Sequence, residues 1–288
     1  MVGFCFLRYF LRHESMGIES KDAKTLVNSE NSDRLFQLFE TQFGSLILYS
    51  ARSPVGDGLN EDSLTFHPCS STGGVLAVAD GVGGSRVGAE ASKIAVSALV
   101  AEVDRAVAEK HSLRVGVING FERANKEIRE RGVGAATTIA VAEIGEKRVR
   151  SYHAGDCFVL VVGNKGKLKF QTIDHGPVAY GLASGHISEE DAMQHEERNI
   201  VSNVLGSDEM RIDIGPTLEL APRDTVVVAS DGLSDNLSFD EISDIVRKGA
   251  LADCAKELLE LSYTRMAGAD RKYSGKPDDL SFILYRPA

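Results

Sequence analysis

Short apolar runs that end at turn-forming residues recur along the chain from Ser45 onward, and this pattern predicts strands. Some neighbouring runs are joined by tight turns, such as Gly145-Glu146, so those pairs are predicted to be antiparallel. The predicted strands are 45–51, 75–79, 137–144, 147–152, 158–162, 168–172, 218–220, 225–230 and 280–285.

Four other segments repeat apolar residues at helical spacing. In the first of them, Ala91, Ala95, Leu99 and Val103 would share one face of a helix. The predicted helices are 88–110, 112–131, 239–248 and 251–266.

The first 44 residues lack this regularity. Residues 1–17 are apolar, but Arg8 and Arg12 interrupt them, no small-residue cleavage site follows, and the stretch is too short to span a bilayer. We interpret it as an extension, or as upstream sequence before a start at Met16, rather than as a helix that docks on a membrane surface. Residues 18–34 are polar and predict a linker. We therefore divide the chain into an extension with a linker, 1–44, and a main domain, 45–288.

The stretch 176–210 is polar and irregular inside this main domain. Irregular segments of such length are usually functional or mobile. We expect a flap with one short helix after Ile187, capped by Ser188 with Asp191 in its first turn.

Composition narrows the class of protein. The chain has 288 residues, 43% of them hydrophobic and 26% charged, which is the balance of an ordinary globular protein. Its formal net charge of -10 argues against a nucleic-acid partner, which would need a basic face. The 4 cysteines form no CxxC pair, so they indicate neither a zinc ribbon nor a disulfide framework. A reducing compartment, the cytoplasm, is the natural interpretation.

Asp80 ends a buried-strand pattern, Val75–Ala79, and glycines follow it at 81, 83 and 84. Glycines allow an ion to approach the backbone closely. A dinucleotide-binding loop would need its third glycine at the position of Arg86, so that alternative fails on spacing. The bland alternative, an acidic turn that closes a core strand, stays open for this motif alone.

Acidic residues stand at strand ends or adjoining turns in five places. Any one of these acids alone is as easily explained as a turn residue or a helix cap. Together, however, their carboxylates would repel one another unless a cation lay between them. Hard ions that prefer oxygen, Mg²⁺ or Mn²⁺, suit such a group better than zinc. Two ions about 3.5 to 4 Å apart can activate a water for attack on phosphorus. The five places are Glu61-Asp62, Asp80, Asp156, Asp231 with Asp235, and Asp278-Asp279.

The order of these motifs resembles the metal-dependent type 2C serine/threonine phosphatases, in particular their bacterial-style members. The series is NED, ADGVGG, AATT, HAGDC, ASDGLSDN and DDLSFILY, and the resemblance covers about 45–286. It implies an α+β fold, a four-layer sandwich of two antiparallel sheets flanked by helices. It also implies hydrolysis of phosphoserine and phosphothreonine in proteins, a monomer, and a kinase that adds the phosphate.

The resemblance assigns a role to each acidic motif. Asp80 would bridge two Mn²⁺ or Mg²⁺ ions, with Glu61 and the Gly81 carbonyl on one of them. Asp231 and Asp278 would hold the other ion. Asp62 would orient the attacking water, and Asp156 with Asp235 would hold a weaker third ion. Asp279 stands where the family usually has Asn.

Two departures from the family pattern concern the substrate. Asp57 takes the place of an Arg that clamps the phosphate in many members, and Arg52 and Arg86 are the nearest alternatives in sequence. Val82 takes the place of a His that serves some eukaryotic members as general acid, so a water would have to donate that proton. The missing Arg favours an alternative function, a regulatory adaptor that binds a phosphoprotein, whereas the intact set of acids opposes it. A phosphatase for small phosphate esters is a second alternative.

Overall fold

The computed structural model describes residues 17–19, 34–55, 58–82, 86–132, 134–188, 191, 195, 197, 200–270 and 275–288. The strands are β1 (Gly17–Glu19), β2 (Arg34–Thr41), β3 (Gly44–Ala51), β4 (Ser63–Ser70), β5 (Gly73–Val82), β6 (Ala136–Gly145), β7 (Arg148–Ala154), β8 (Phe158–Val162), β9 (Leu168–Gln171), β10 (Asp213–Ile214), β11 (Leu218–Glu219), β12 (Thr225–Ala229) and β13 (Leu280–Pro287). The helices are α1 (Arg86–Ala108), α2 (Leu113–Arg131), α3 (Pro177–Ala183), α4 (Asp231–Ser234), α5 (Phe239–Val246) and α6 (Leu251–Met266).

These strands form two sheets. One has seven strands in the order β1-β2-β3-β13-β12-β8-β9. The other has the order β10-β7-β6-β5-β4, and β11 also pairs with β7. The strand pairs are antiparallel except for β1 with β2, which is parallel.

The two sheets pack face to face, because each central strand is apolar on both of its faces. In β5, Leu76 and Val78 belong to the core between the sheets, whereas Ala77 and Ala79 pack against the outer helices. The two-residue period of a strand sends successive side chains to opposite faces, so one continuous apolar run serves two cores.

Helices cover both outer faces. The face of the six-stranded sheet packs against α1 and α2, and the face of the seven-stranded sheet packs against α5 and α6. The predicted four-layer α+β sandwich is confirmed.

The seven-stranded sheet begins earlier than the sequence pattern predicts. β2 pairs with β3 along its whole length, although 18–34 was expected to be a linker and the main domain to begin at 45. Its residues Phe36 and Leu38 pack on one core while Leu35 and Phe39 pack on the other. The run RLFQLFET therefore has apolar residues on both faces of a strand, and polar residues interrupt this apolar pattern. Residues 1–16, the apolar part of the expected extension, lie outside the described residues.

Two further expectations concern local structure. Ser188 Oγ accepts a hydrogen bond from the Asp191 backbone N–H at 3.1 Å, as expected for the predicted cap, but much of the segment predicted as a helix lies outside the described residues. Across the described chain, none of the helices has both the length and the apolar character required to cross a membrane.

Candidate metal centre

An acidic cavity of about 340 Å³ opens at one end of the sandwich, at the loops that enter or leave β4, β5, β8, β12 and β13. Among the described residues, its lining includes six carboxylates and a single basic side chain, that of Lys276. The six are Glu61, Asp80, Asp156, Asp231, Asp278 and Asp279.

Asp80 reaches the cavity through the alternation of β5. It lies on the same face of the strand as Leu76 and Val78, which face the other sheet. Its Cα pairs with that of Thr138 in β6. β5 continues for two residues beyond Asp80, so this acid lies within the strand rather than at its end. Burial, followed by the charges of Asp62, Asp231 and Asp156, raises the pKa of Asp80 well above its ordinary value.

Two glycines shape the backbone around Glu61. A Cβ added to Gly88 would lie 2.9 Å from the Gly81 carbonyl oxygen and still closer to Glu61 Oε2. A Cβ added to Gly81 would run into the backbone of Gly88 in the same way. The missing side chains let α1 approach β5, and they leave the Gly81 carbonyl and the Glu61 carboxylate close together.

Asp279 holds the loop that carries Glu61. One of its carboxylate oxygens accepts the Ser53 N–H and the other accepts the Glu61 N–H, both at 2.6 Å. An Asn here would offer one acceptor oxygen instead of two, so the acid is matched to this pair of backbone donors. Sequence comparison with the family pattern could identify Asp279 as unusual but not what it binds.

Lys276 lies among three carboxylates. Its Nζ is 2.8 Å from Asp235, 2.8 Å from Asp278 and 3.3 Å from Asp231. Burial disfavours its charge, but the three carboxylates outweigh this effect and raise the pKa of the Lys276 ammonium. Oxygens of the same three acids lie within 4.8 Å of one another, a spacing that allows them to share one cation.

Asp156 lines the cavity, and Asp174 lies close enough to act on its carboxylate. Each has a buried Oδ1 without a hydrogen-bond partner in the described structure. Burial raises the pKa of both to about 7, and the charge of Asp174 adds to the shift of Asp156. Burial also raises the pKa of Asp231 to about 8, with Asp156 and Asp235 adding to it. Sequence reasoning missed Asp174, because it lies beyond the end of β9 and no glycine stands next to it.

Asp62 lies beside the cavity rather than in its lining. It is 2% exposed, and one of its oxygens accepts a hydrogen bond from Ser230 Oγ at 2.8 Å. Burial, with Asp279 as the next contributor, raises the pKa of Asp62. Its position beside Asp80 fits a group that orients others rather than one that holds an ion directly.

This donor set fits divalent cations that prefer oxygen. It consists of carboxylates and one backbone carbonyl, and it is rich in negative charge. The buried Oδ1 atoms of Asp156 in the lining and of the neighbouring Asp174 have no hydrogen-bond partner among the described residues. Such ligands suit Mg²⁺ and Mn²⁺.

A second group of possible ligands, His153, His175 and Asp213, lies outside this cavity, and its nitrogen and oxygen atoms are within 4.8 Å of one another. His175 Nδ1, however, accepts the Gly155 N–H at 3.0 Å and lies 2.8 Å from Asn203 Nδ2. Its proton is therefore on Nε2, which faces Asp213 at 3.1 Å, and a metal there would have to displace that proton. We assign His175 to positioning the loop of Asp156.

The tertiary structure brings together the predicted residues Glu61, Asp80, Gly81, Asp156, Asp231, Asp235 and Asp278. Val82 lines the cavity and is 41% exposed. Neither Arg52 nor Arg86 is among the described lining residues. Asp57 lies outside the described residues.

Comparison with known proteins gives a consistent picture. The family model described as protein phosphatase 2C matches residues 55–262. The protein phosphatase PhpP of Streptococcus pneumoniae is 31% identical over 212 residues, which are 70% of this chain and 85% of PhpP. The fold is similar to a serine/threonine phosphatase of S. agalactiae, with a TM-score of 0.71, 25% identity, and 84% of this chain and 98% of that chain covered. It is also similar to PstP/Ppp of Mycobacterium tuberculosis, with a TM-score of 0.68, 25% identity, and coverage of 85% and 98%.

Proposed function

The chain belongs to the protein phosphatase 2C family, and we propose that its acidic cavity hydrolyses phosphoserine and phosphothreonine esters in proteins with two divalent metal ions. A serine/threonine protein phosphatase is the enzyme class that the family match and the relatives support. The observation that carries the proposal is the convergence of six carboxylates from distant parts of the chain on one cavity.

The residues divide into two ligand groups that share Asp80. Glu61 and the Gly81 carbonyl would hold one ion, and Asp231 with Asp278 would hold the other. When bound, the two ions supply Lewis acidity toward the phosphate and lower the pKa of water. We propose Mn²⁺ or Mg²⁺, because the ligands are oxygens and the site carries a large negative charge.

Three protein groups act around these ligands. Asp279 fixes the Glu61 loop through two backbone N–H groups, and Ser230 fixes the carboxylate of Asp62. We propose that Asp62 orients the attacking water from beside Asp80. Val82 has no titratable proton, so the leaving alkoxide of the substrate takes its proton from water.

A third, weaker cation site is proposed at Asp156 and Asp235. Asp174 adds a further buried carboxylate: its charge raises the pKa of Asp156, and the charge of Asp235 in turn raises the pKa of Asp174. The three free cysteines of the described chain, Cys69, Cys157 and Cys254, support our assignment to a reducing compartment such as the cytoplasm.

The experiment compares a phosphothreonine peptide with a generic aryl phosphate, with Mn²⁺ and with excess EDTA. We expect turnover of the peptide with Mn²⁺, none with EDTA, and a lower kcat/KM for the aryl phosphate. Full activity after dialysis against EDTA would refute the metal-dependent mechanism. Binding of the peptide without turnover, in protein shown to bind Mn²⁺, would indicate an adaptor. A higher kcat/KM for the aryl phosphate would indicate a phosphatase for small esters.

A further inference from the structure

Lys276 is the one basic residue in the described lining of an otherwise acidic cavity. All three of its ammonium contacts are to carboxylates of the proposed metal site, and its side chain is 30% exposed. The ammonium therefore occupies the space beside three carboxylates that we assign to metal ions.

The ammonium and a metal ion compete for the same oxygens. An ion bound by Asp231 and Asp278 would lie about 2 Å from their oxygens, whereas the ammonium nitrogen is already 2.8 to 3.3 Å from those residues. Two cations cannot share that volume, since they overlap and repel each other. Entry of the ion therefore has to move the Lys276 side chain.

The backbone of Lys276 can stay in place during this movement. Its N–H donates to Asn236 Oδ1 at 3.1 Å, and its carbonyl accepts from Asn236 Nδ2 at 2.9 Å. Asn236 is itself buried and bonded to Gly232. The main chain is thus anchored, while the partly exposed, flexible side-chain stem lets the ammonium reach other positions in the cavity.

A substrate phosphate needs a cation at this place. It enters a cavity lined by six carboxylates, which repel its negative charge. The position at which many family members have a clamping Arg is Asp57 in this sequence, and Arg52 and Arg86 do not belong to the described lining. The Lys276 ammonium has three donors, and phosphate oxygens accept strong charge-assisted hydrogen bonds.

We propose that Lys276 is the phosphate-binding cation of this enzyme, and that its ammonium moves from Asp231, Asp235 and Asp278 to the substrate phosphate when a metal ion takes those carboxylates. The inference rests on the proposed function and adds a substrate-binding residue to it. A lysine provides a point charge instead of the planar fork of Arg, so it can serve the carboxylates and the phosphate in turn.

The test uses Lys276→Met and Lys276→Arg, with Lys165→Met as the matched control. Lys165 is an exposed lysine beyond the far end of β8 from Asp156. Calorimetry with Mn²⁺ measures the competition. We expect Lys276→Met to bind Mn²⁺ about tenfold more tightly than the wild type. Substitutions of residues that contact metal ligands typically change metal affinity by about 10- to 100-fold, and we take the lower end of that range. Lys165→Met should bind Mn²⁺ as the wild type does.

Steady-state kinetics on one phosphothreonine peptide at saturating Mn²⁺ measures how much Lys276 contributes to binding the substrate phosphate. We expect Lys276→Met to raise KM by on the order of tenfold, as for the loss of one hydrogen bond to a charged group, with a smaller change in kcat. Lys276→Arg should keep part of this binding because it keeps the charge. Thermal melting confirms that each variant is folded.

Unchanged Mn²⁺ affinity in Lys276→Met would overturn the competition, and an unchanged KM would overturn the phosphate role. If the wild type binds Mn²⁺ but hydrolyses nothing, the proposed function fails and inorganic phosphate becomes the probe. Weaker binding of inorganic phosphate to Mn²⁺-loaded Lys276→Met would then still support the inference, and equal binding would contradict it.

Discussion

Gly88 lies in the first turn of α1, and replacing it with alanine is the sharpest test of the metal-site geometry. Helix propensity alone predicts that Gly88→Ala stabilises the protein by about 1 kcal/mol. The contacts predict the opposite. The added Cβ would lie 2.9 Å from the Gly81 carbonyl oxygen and closer still to Glu61 Oε2, inside the 3.0 Å that real Cβ atoms essentially never pass.

The Glu61 carboxylate must therefore move away from the added methyl group, while hydrogen bonds hold its backbone in place. The Glu61 N–H is bound by Asp279, and its carbonyl accepts from the Gly81 N–H at 3.2 Å and from Ser92 Oγ at 2.6 Å. Misplacement of about 1 Å can cost about 100-fold in rate, and disturbed ligands lose about 10- to 100-fold in metal affinity. Overpacking costs about 1 to 3 kcal/mol, which offsets the gain in propensity and leaves a net loss of about 0 to 2 kcal/mol.

The assay is kcat as a function of Mn²⁺ concentration, with calorimetry of Mn²⁺ binding and urea unfolding in EDTA. Gly145→Ala is the matched control, because a Cβ there meets nothing within 4 Å. We expect Gly88→Ala to need about 10- to 100-fold more Mn²⁺ and Gly145→Ala to behave as the wild type. Wild-type Mn²⁺ affinity and kcat in a folded Gly88→Ala protein would refute the assigned ligand pair.

Three other predictions follow from single side chains. Asp80→Asn should reduce kcat by more than tenfold, since it removes the ligand that the two ions would share. It should also raise the urea midpoint in EDTA, because it relieves repulsion among buried acids. Turnover above a tenth of the wild-type value would contradict the bridging role. Asp279→Asn should weaken Mn²⁺ binding by about tenfold in calorimetry, since one backbone N–H loses its acceptor, and an unchanged affinity would refute the assigned support. Hydrogen bonds from Arg265 lower the pKa of Glu241 to about 2, so the pair stabilises the fold above the ordinary pKa of 4.5 and loses that effect as the pH falls through 2. In urea unfolding, the gap between wild type and Glu241→Gln should shrink between pH 4.5 and pH 2; a constant gap would refute the linkage.

Local pattern was sufficient for most of the secondary structure and for locating the acidic residues that line the cavity. Periodicity of two or of 3.6 residues is set by the backbone, so α6 at 251–266 and β8 at 158–162 follow from their own residues. These acids are recognisable in the sequence because each stands beside a glycine or a predicted strand end, whereas their proposed roles toward a metal ion come from the family resemblance. Local pattern did not identify β2, because polar residues interrupt its apolar ones. Its strand conformation is stabilised by pairing with β3 along its whole length.

The sequence by itself determined that this protein would place acids at or near the ends of buried strands; only the tertiary structure decided which other groups meet them. Lys276 is an ordinary lysine in the sequence, and its contacts with Asp231 and Asp235 arise because the chain before β13 passes α4. Asp174 acts on Asp156 across a loop, and Asp279 binds backbone N–H groups more than 200 positions away in sequence. Charges and hydrogen bonds act over a few ångströms of space whatever the separation along the chain, so no local pattern records these partners.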